Sequence, residues 1–289
     1  MDFLQPATWT EALAIKAARP DALPIAGGTD VMVEINFDRH RPPAFLDLTR
    51  IAELSEWGPE DGMLRIGAGV TYTRLIDEIG DRIPGLAIAS RTVGSPQIRN
   101  RGTVGGNLGS ASPAGDAHPA LLASRAIVEL ASVGATRRLP VREFFVGPKR
   151  NAMREDELIA AFLIEPAQGP QQFSKVGTRN AMVIAVCSFA LAIEPERRRV
   201  GTGIGSAAPT PVAAPEAESF IQGVLDEDDL WQKRAPVPES ALTRFGELVA
   251  AAAKPIDDVR GTAAYRRRAL AVMARRSFTW AWNDYVGAA

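Results

Sequence analysis

Residues 100 to 116 read Asn-Arg-Gly-Thr-Val-Gly-Gly-Asn-Leu-Gly-Ser-Ala-Ser-Pro-Ala-Gly-Asp and hold the densest potential chemistry of the chain. Gly102, Gly105, Gly106 and Gly109 stand there among small polar residues. Such a stretch reads as a loop that exposes its own N–H groups, because glycine admits φ > 0 and lets a ligand approach the main chain. Successive exposed N–H groups form a concave anion site, whose natural guest is a phosphate or pyrophosphate. A second glycine turn, Ala26-Gly27-Gly28-Thr29-Asp30, lies much earlier. The rest of the reactive inventory is thin. Cys187 is the sole cysteine, so the chain forms no internal disulfide and holds no iron–sulfur cluster of its own. Within the apolar run Val183 to Ile193 it reads as a small buried residue. His40 and His118, the two histidines, stand at no zinc-type spacing. Gly201-Thr-Gly203-Ile-Gly205 resembles half of a dinucleotide fingerprint, but Pro209 and Pro211 stop a helix from starting at a phosphate there, so it reads as a structural turn. Walker loop, nucleophile elbow and His-Glu-x-x-His are all absent from the sequence.

The elements that must position these glycines follow from pattern. Thr8 to Ala18 reads as a helix, Leu23 to Ala26 as a strand running into Gly27-Gly28, and Phe45 to Leu48 as another strand. Thr29 or Asp30 is placed to cap a short helix from Val31. Leu64 to Val70 alternates like a strand. Thr73 to Ile79 reads as a helix capped by Thr73, and Pro84 to Val93 as a second. Ala117 to Ser124 reads as a short helix behind Asp116, which is placed to cap it. Ile127 to Ser132 and Arg138 to Val141 flank a hairpin turn, and Leu158 to Ile164 is a strand. The polar, turn-rich residues 167 to 172 mark a boundary. Beyond it, Phe173 to Lys175, Val183 to Ile193 and Arg199 to Ile204 read as an antiparallel sheet. Helices over Ala213 to Ile221, Ser240 to Ala253 and Thr262 to Arg276 follow. Arg266, Arg267, Arg268, Arg275 and Arg276 read as a solvated face of the last.

Bulk properties bound the function. With 289 residues, 46% of them hydrophobic, the chain can build a large core in two domains or one divided domain. A net charge of −1 offers no field for nucleic acid or anionic lipid. No apolar run approaches a membrane span, and the first residues carry neither a basic leader nor a long apolar stretch, so a cytoplasmic protein is expected.

Taken in order, Ala26 to Asp30, then Gly102-Thr103-Val104-Gly105-Gly106-Asn107-Leu108, then Ala111-Ser112-Pro113-Ala114-Gly115-Asp116 resemble the FAD-binding (medium) subunits of the molybdenum hydroxylases. That is the family of xanthine dehydrogenase, aldehyde oxidase and carbon monoxide dehydrogenase. Phe144 to Gly147 and Pro255 to Arg266 are similar to later family segments. The resemblance implies an α+β chain: a two-subdomain FAD-binding fold of the vanillyl-alcohol oxidase (PCMH) type, then a small antiparallel sheet with helices. Residues 1–170 would form the first domain, divided at about 57/58, and 171–289 the second. It further implies non-covalent FAD, with Ile25, Ala26, Gly27, Gly28, Thr29 and Asp30 as one phosphate loop and Thr103, Val104, Gly105, Gly106 and Asn107 as the other. Ser110 and Asp116 would lie near the ribityl chain and ribose, Ile159 against the ring, and Lys175 at the pyrimidine end, with no catalytic side chain.

The implied role is electron transfer. Electrons would arrive from 2Fe–2S clusters of a small partner subunit, beside a molybdopterin-binding large subunit, in a dimer of heterotrimers. They would leave to NAD+ or another acceptor. Within the resemblance, Thr29-Asp30 stands where carbon monoxide dehydrogenase flavoproteins tend to carry His-Ser or Gln-Ser, which favours the xanthine dehydrogenase-like branch, with a carbon monoxide or aldehyde dehydrogenase flavoprotein as the alternative. A flavin-free scaffold and a stand-alone flavoenzyme of the wider fold are the competing readings. One departure stands out: Val183 replaces an aspartate common in relatives.

Overall fold

The N-terminal residues build a small layered unit whose connections set the first glycine turn. In the computed structural model, which describes residues 1–39 and 41–287, β1 (Asp2–Leu4), β2 (Ala22–Ile25) and β3 (Ala44–Asp47) form a parallel sheet in the order β1-β3-β2. His40 lies outside the described residues. Parallel neighbours need crossovers, and α1 (Trp9–Ala18) and α2 (Val31–Asn36) supply them. Thr8 caps α1 by accepting from Glu11 N, and the Glu11 carboxylate accepts from Ala7 N at 2.7 Å. At α2 the expected cap is missing: Asp30 occupies the position, but its side chain makes no capping bond.

An antiparallel sheet follows, in the order β4-β5-β10-β6-β7. Its members are β4 (Trp57–Glu60), β5 (Met63–Gly67), β6 (Ile127–Ser132), β7 (Ala135–Pro140) and β10 (Leu158–Ile164), with β8 (Phe145–Gly147) and β9 (Arg150–Asn151) as a separate ribbon. Between β5 and β6 run α3 (Tyr72–Arg74), continued by a wide turn to Ile79, then α4 (Pro84–Arg91), α5 (Pro96–Arg99), α6 (Val104–Ser110) and α7 (Ala117–Ala123); α8 (Val141–Phe144) follows β7. Two expectations change here. Thr71, not Thr73, caps α3 by accepting from Arg74 N, while the Thr73 hydroxyl donates to Asn100 Oδ1 at 2.7 Å. And the glycine-rich stretch is not loop throughout, since Val104 to Ser110 is helical. Glycine is a poor helix former, but a local cap and tertiary packing outweigh propensity in so short a segment.

The C-terminal unit is an antiparallel sheet of β11 (Gln171–Val176), β12 (Cys187–Glu194) and β13 (Arg199–Gly205), covered by α9 (Pro215–Glu227), α10 (Leu230–Lys233), α11 (Glu239–Ala252) and α12 (Ala263–Gly287). Strand β12 starts at Cys187, four residues later than Val183; residues 177–186 are bends and irregular chain, with Val183 packed on Gly177. Cys187 is buried, and burial pushes its thiol up to about 12. Both faces of β12 are covered: Ala190 and Ala192 join the N-terminal core, and Phe189, Leu191 and Ile193 the C-terminal one. That double burial accounts for a continuous apolar run instead of an alternating one.

Gly201, Gly203 and Gly205 lie in β13, not in a turn. A Cβ at Gly201 or Gly203 would overlap the carbonyls of Ala123 or Pro119, so the bare face of this strand is what lets α7 lie against it. Arg266 also departs from expectation. It is 3% exposed, bonded to Asp258 and to the Ser206 carbonyl, and so not part of a solvated face. Among the described residues no helix is long and apolar enough to cross a membrane.

Candidate functional site

The two glycine segments, far apart in sequence, meet. A Cβ on Gly27 would overlap the Arg101 carbonyl, so the turn after β2 touches the chain just before α6 backbone to backbone. Gly28 takes φ +75°, which glycine adopts without strain and which turns the chain into α2. On the other side Thr103 caps α6, its Oγ1 accepting from Gly106 N at 2.8 Å. The Thr103 hydroxyl hydrogen remains to be donated, and the first N–H groups of α6 have no partner within the helix. Gly105 is occupied by packing: a Cβ there would come within 2.5 Å of the Ala68 carbonyl oxygen. The corresponding Cβ on Gly106 would meet just the Thr103 hydroxyl, at 3.1 Å.

Two cavities flank this junction. The first, about 480 Å³, runs between Lys16, Leu48, Ala68, Arg101, Met153 and Ile159. The second, about 380 Å³, runs between Thr29, Glu34, Tyr72, Val93, Asn107 and Lys149. Ala26, Gly27, Thr103, Gly106 and Gly109 line both, so the cavities are two arms of one groove bent around the glycines. Each arm falls in the size range of small-molecule sites. The arms differ in chemistry. In the first, Lys16 is buried and donates to the carbonyls of Pro20 and Ala22 at 2.7 and 3.0 Å, and burial pulls its ammonium below the usual lysine range. Glu157 at the floor is paired with Arg137, which holds its carboxyl below the usual range. Across the second arm, Lys149 is ion-paired with Glu34 of α2.

Behind the second arm lies a buried ion pair. Lys175 Nζ donates to Asp116 Oδ2 at 2.6 Å and to the Thr92 carbonyl at 3.2 Å. Burial pushes the Asp116 carboxyl above the usual range, and Lys175 opposes that shift. Asp116 makes no capping bond to α7. His118 is fully buried against Phe145, with Nε2 on the Asn107 carbonyl at 3.1 Å, and burial lowers it to about 4. It therefore stays neutral near pH 7 and ties α7 to α6 by donating from Nε2.

Comparison with known proteins decides the family. Residues 1–166 match the model of the FAD-binding domain in molybdopterin dehydrogenase, and residues 172–281 that of the CO dehydrogenase flavoprotein C-terminal domain. The chain belongs to the FAD-binding medium subunits of the molybdenum hydroxylase family. It is 35% identical over 202 residues to the nicotinate dehydrogenase FAD-subunit of Eubacterium barkeri, covering 67% of this chain and 68% of that one. It is 30% identical over 280 residues to the xanthine dehydrogenase FAD-binding subunit of Escherichia coli O157:H7, covering 93% and 92%. Its fold superposes on a chain of the reconstituted CO dehydrogenase from Oligotropha carboxidovorans with a TM-score of 0.89 at 26% identity, covering 98% of each.

The residues that family membership points to are distributed as follows. Gly28, Thr29, Asp30, Asn107 and Ser110 line the second arm, and Gly105 and Ile159 the first. Ile25, Val104, Asp116 and Lys175 stand outside the lining of either arm, with Val104 buried and Lys175 bonded next to Val93 of the wall. Sequence reading missed Lys16, Arg101, Tyr72, Glu34 and Lys149. Arg101 sits in the glycine-rich stretch without being a glycine-loop position, and a lysine and a glutamate on helices, a tyrosine opening a short helix and a turn lysine carry no local sign that they share a groove. The groove fits FAD. It has two arms for the two halves of a dinucleotide and a glycine junction between them. It also has two buried polar atoms without partners among the described residues, Tyr72 Oη and Asn107 Oδ1, both on residues of the second arm.

Proposed function

We propose that this chain is the flavin-carrying electron-transfer subunit of a multisubunit molybdenum hydroxylase, most similar in role to that of xanthine dehydrogenase. Bound FAD supplies a store for two electrons that can be filled one at a time and emptied as a pair. The chain's own residues position it. The observation that carries this reading is the meeting of Gly27 with the Arg101–Gly102 backbone, which makes one groove from two separated glycine segments. Ala26 to Asp30 and Thr103 to Asn107 hold the diphosphate at that junction. The flavin half would lie in the second arm, with the Lys175 ammonium, paired to Asp116 behind its wall, as a cation that can favour negative charge arriving at the ring. Ile159 then meets the adenosine half in the first arm, not the flavin ring. The division into residues 1–170 and 171–289 is supported by the separate C-terminal sheet.

Partner chains supply the molybdopterin and the 2Fe–2S clusters, and electrons leave to NAD+ or another acceptor. The sole cysteine, buried in β12, excludes a cluster held by this chain. No side chain needs to act as a general acid or base.

Purification of the tagged chain from its native host tests the reading. FAD, molybdenum and iron should co-elute with two further chains. The flavin should pass a filter after denaturation, and NAD+ should reoxidise the reduced complex. A colourless chain that FAD cannot reconstitute would favour the scaffold reading, and flavin retained on the denatured chain the stand-alone flavoenzyme.

A further inference from the structure

We propose that Tyr72 is an additional cofactor-binding residue, its phenol donating a hydrogen bond to the hydroxylated chain of FAD in the second arm. This rests on the reading of the groove given above. The Tyr72 main chain is anchored to the second glycine segment. Its backbone N–H donates to the Gly102 carbonyl at 3.0 Å, and Thr71 bridges to Thr103, so α3 is tied directly to the start of the second glycine segment. The residue is 2% exposed and lines the second arm, yet its hydroxyl has no hydrogen-bond partner among the described residues.

A buried hydroxyl without a partner is a cost that phenylalanine, of the same ring shape, would avoid. Packing therefore gives no reason for the oxygen. A ligand in the arm does. Asn107 Oδ1, also on a residue of this arm, is an acceptor in the same position of lacking a donor. A donor and an acceptor in one cavity match a group that both accepts and donates, which is a hydroxyl. Of the parts of FAD, the polyhydroxylated chain between diphosphate and ring system presents such groups next to the glycine junction. The surroundings also keep the phenol protonated: burial raises it, and the Asp116 and Asp30 carboxylates raise it further. It is thus a donor throughout the neutral range.

The test is Tyr72→Phe in the full chain, with and without FAD. Two readouts are taken: thermal midpoint and the FAD dissociation constant from flavin fluorescence quenching. The flavin-free variant should be at least as stable as the wild type, because no protein bond is lost. Its FAD affinity should fall about 5- to 20-fold, the range of one lost hydrogen bond, and its FAD-induced rise in midpoint should shrink. A variant that binds FAD within twofold of the wild type overturns the proposal while leaving the groove reading intact. So does a flavin-free variant less stable than wild type, since the hydroxyl would then be serving the protein itself. A wild-type chain that binds no FAD overturns the groove reading and this role with it.

Discussion

Gly105 and Gly106 are adjacent, yet they meet different surroundings, and this separates folding from binding at single-residue resolution. Gly105 faces the Ala68 backbone, so Gly105→Ala forces main chain apart and should cost about 1–3 kcal/mol of stability. Gly106→Ala keeps the helix, gains some propensity there, and should stay within about 1 kcal/mol of wild type. Its methyl group enters the groove, and FAD affinity should fall by about tenfold or more, the scale of a ligand forced off a tight main-chain contact. Thermal unfolding and FAD titration of both variants check this; equal stability losses would refute the assignment. His118 gives a pH prediction. Its folded value of about 4 lies below its ordinary 6.5. Above pH 6.5 both folded and unfolded forms are neutral and the full stability is present. As pH falls through 6.5 the unfolded chain gains a proton that the folded one refuses, and stability declines until about pH 4. At pH 4.5 the loss due to His118 should be about 2–3 kcal/mol. His118→Phe should show a correspondingly flatter stability profile between pH 7.5 and 4.5 in urea titrations.

At the level of elements, the structure turns on strands and helices that touch without side chains between them. The Gly201-x-Gly203-x-Gly205 pattern is a packing device, a bare strand face on which α7 rests, and α7 carries the His118 that fixes α6. The groove is thus supported from the C-terminal unit through two contacts. The other end of that unit is closed by Arg266, which joins the turn around Asp258 to the carbonyl after β13. Arg266→Met should remove about 1–3 kcal/mol, because it leaves the buried Ser206 carbonyl without its donor, while the Asp258 carboxylate keeps its pairing with Arg260. FAD affinity should be unchanged, since none of these groups lines the groove. Chemical denaturation alongside flavin binding checks both halves, and a variant with weakened binding would show that the clasp reaches the site.

For the molecule as a whole, one N-terminal core runs through both glycine-bearing layers, joining Ala12, Ala22 and Leu46 to Leu64, Leu108, Phe162 and Ile164. Strand β12 shares that core with one face and the C-terminal core with the other. Unfolding should therefore be a single transition, with coincident far-UV circular dichroism and tryptophan fluorescence curves, although the tryptophans lie in both units. Two separated transitions would show that β12 does not couple them. The sequence by itself determined what depends on neighbours along the chain. The glycine segments, the β6–β7 hairpin, the buried strand β10 and the family motifs were all legible, because turn chemistry, periodicity and spacing are local. Cap positions slipped, as at Thr71, because two threonines within one turn offer the same local chemistry and the bridge to Thr103 decides between them. Tertiary structure alone decided that the two glycine segments share one groove, that the Cβ position is open at Gly106 and blocked by Ala68 at Gly105 although both line it, and that Tyr72 and Lys16 line it. It also decided that Arg266 is buried. Each depends on which distant backbone arrives within a few ångströms, and that is set by sheet register and helix packing across the whole fold, not by the residues on either side.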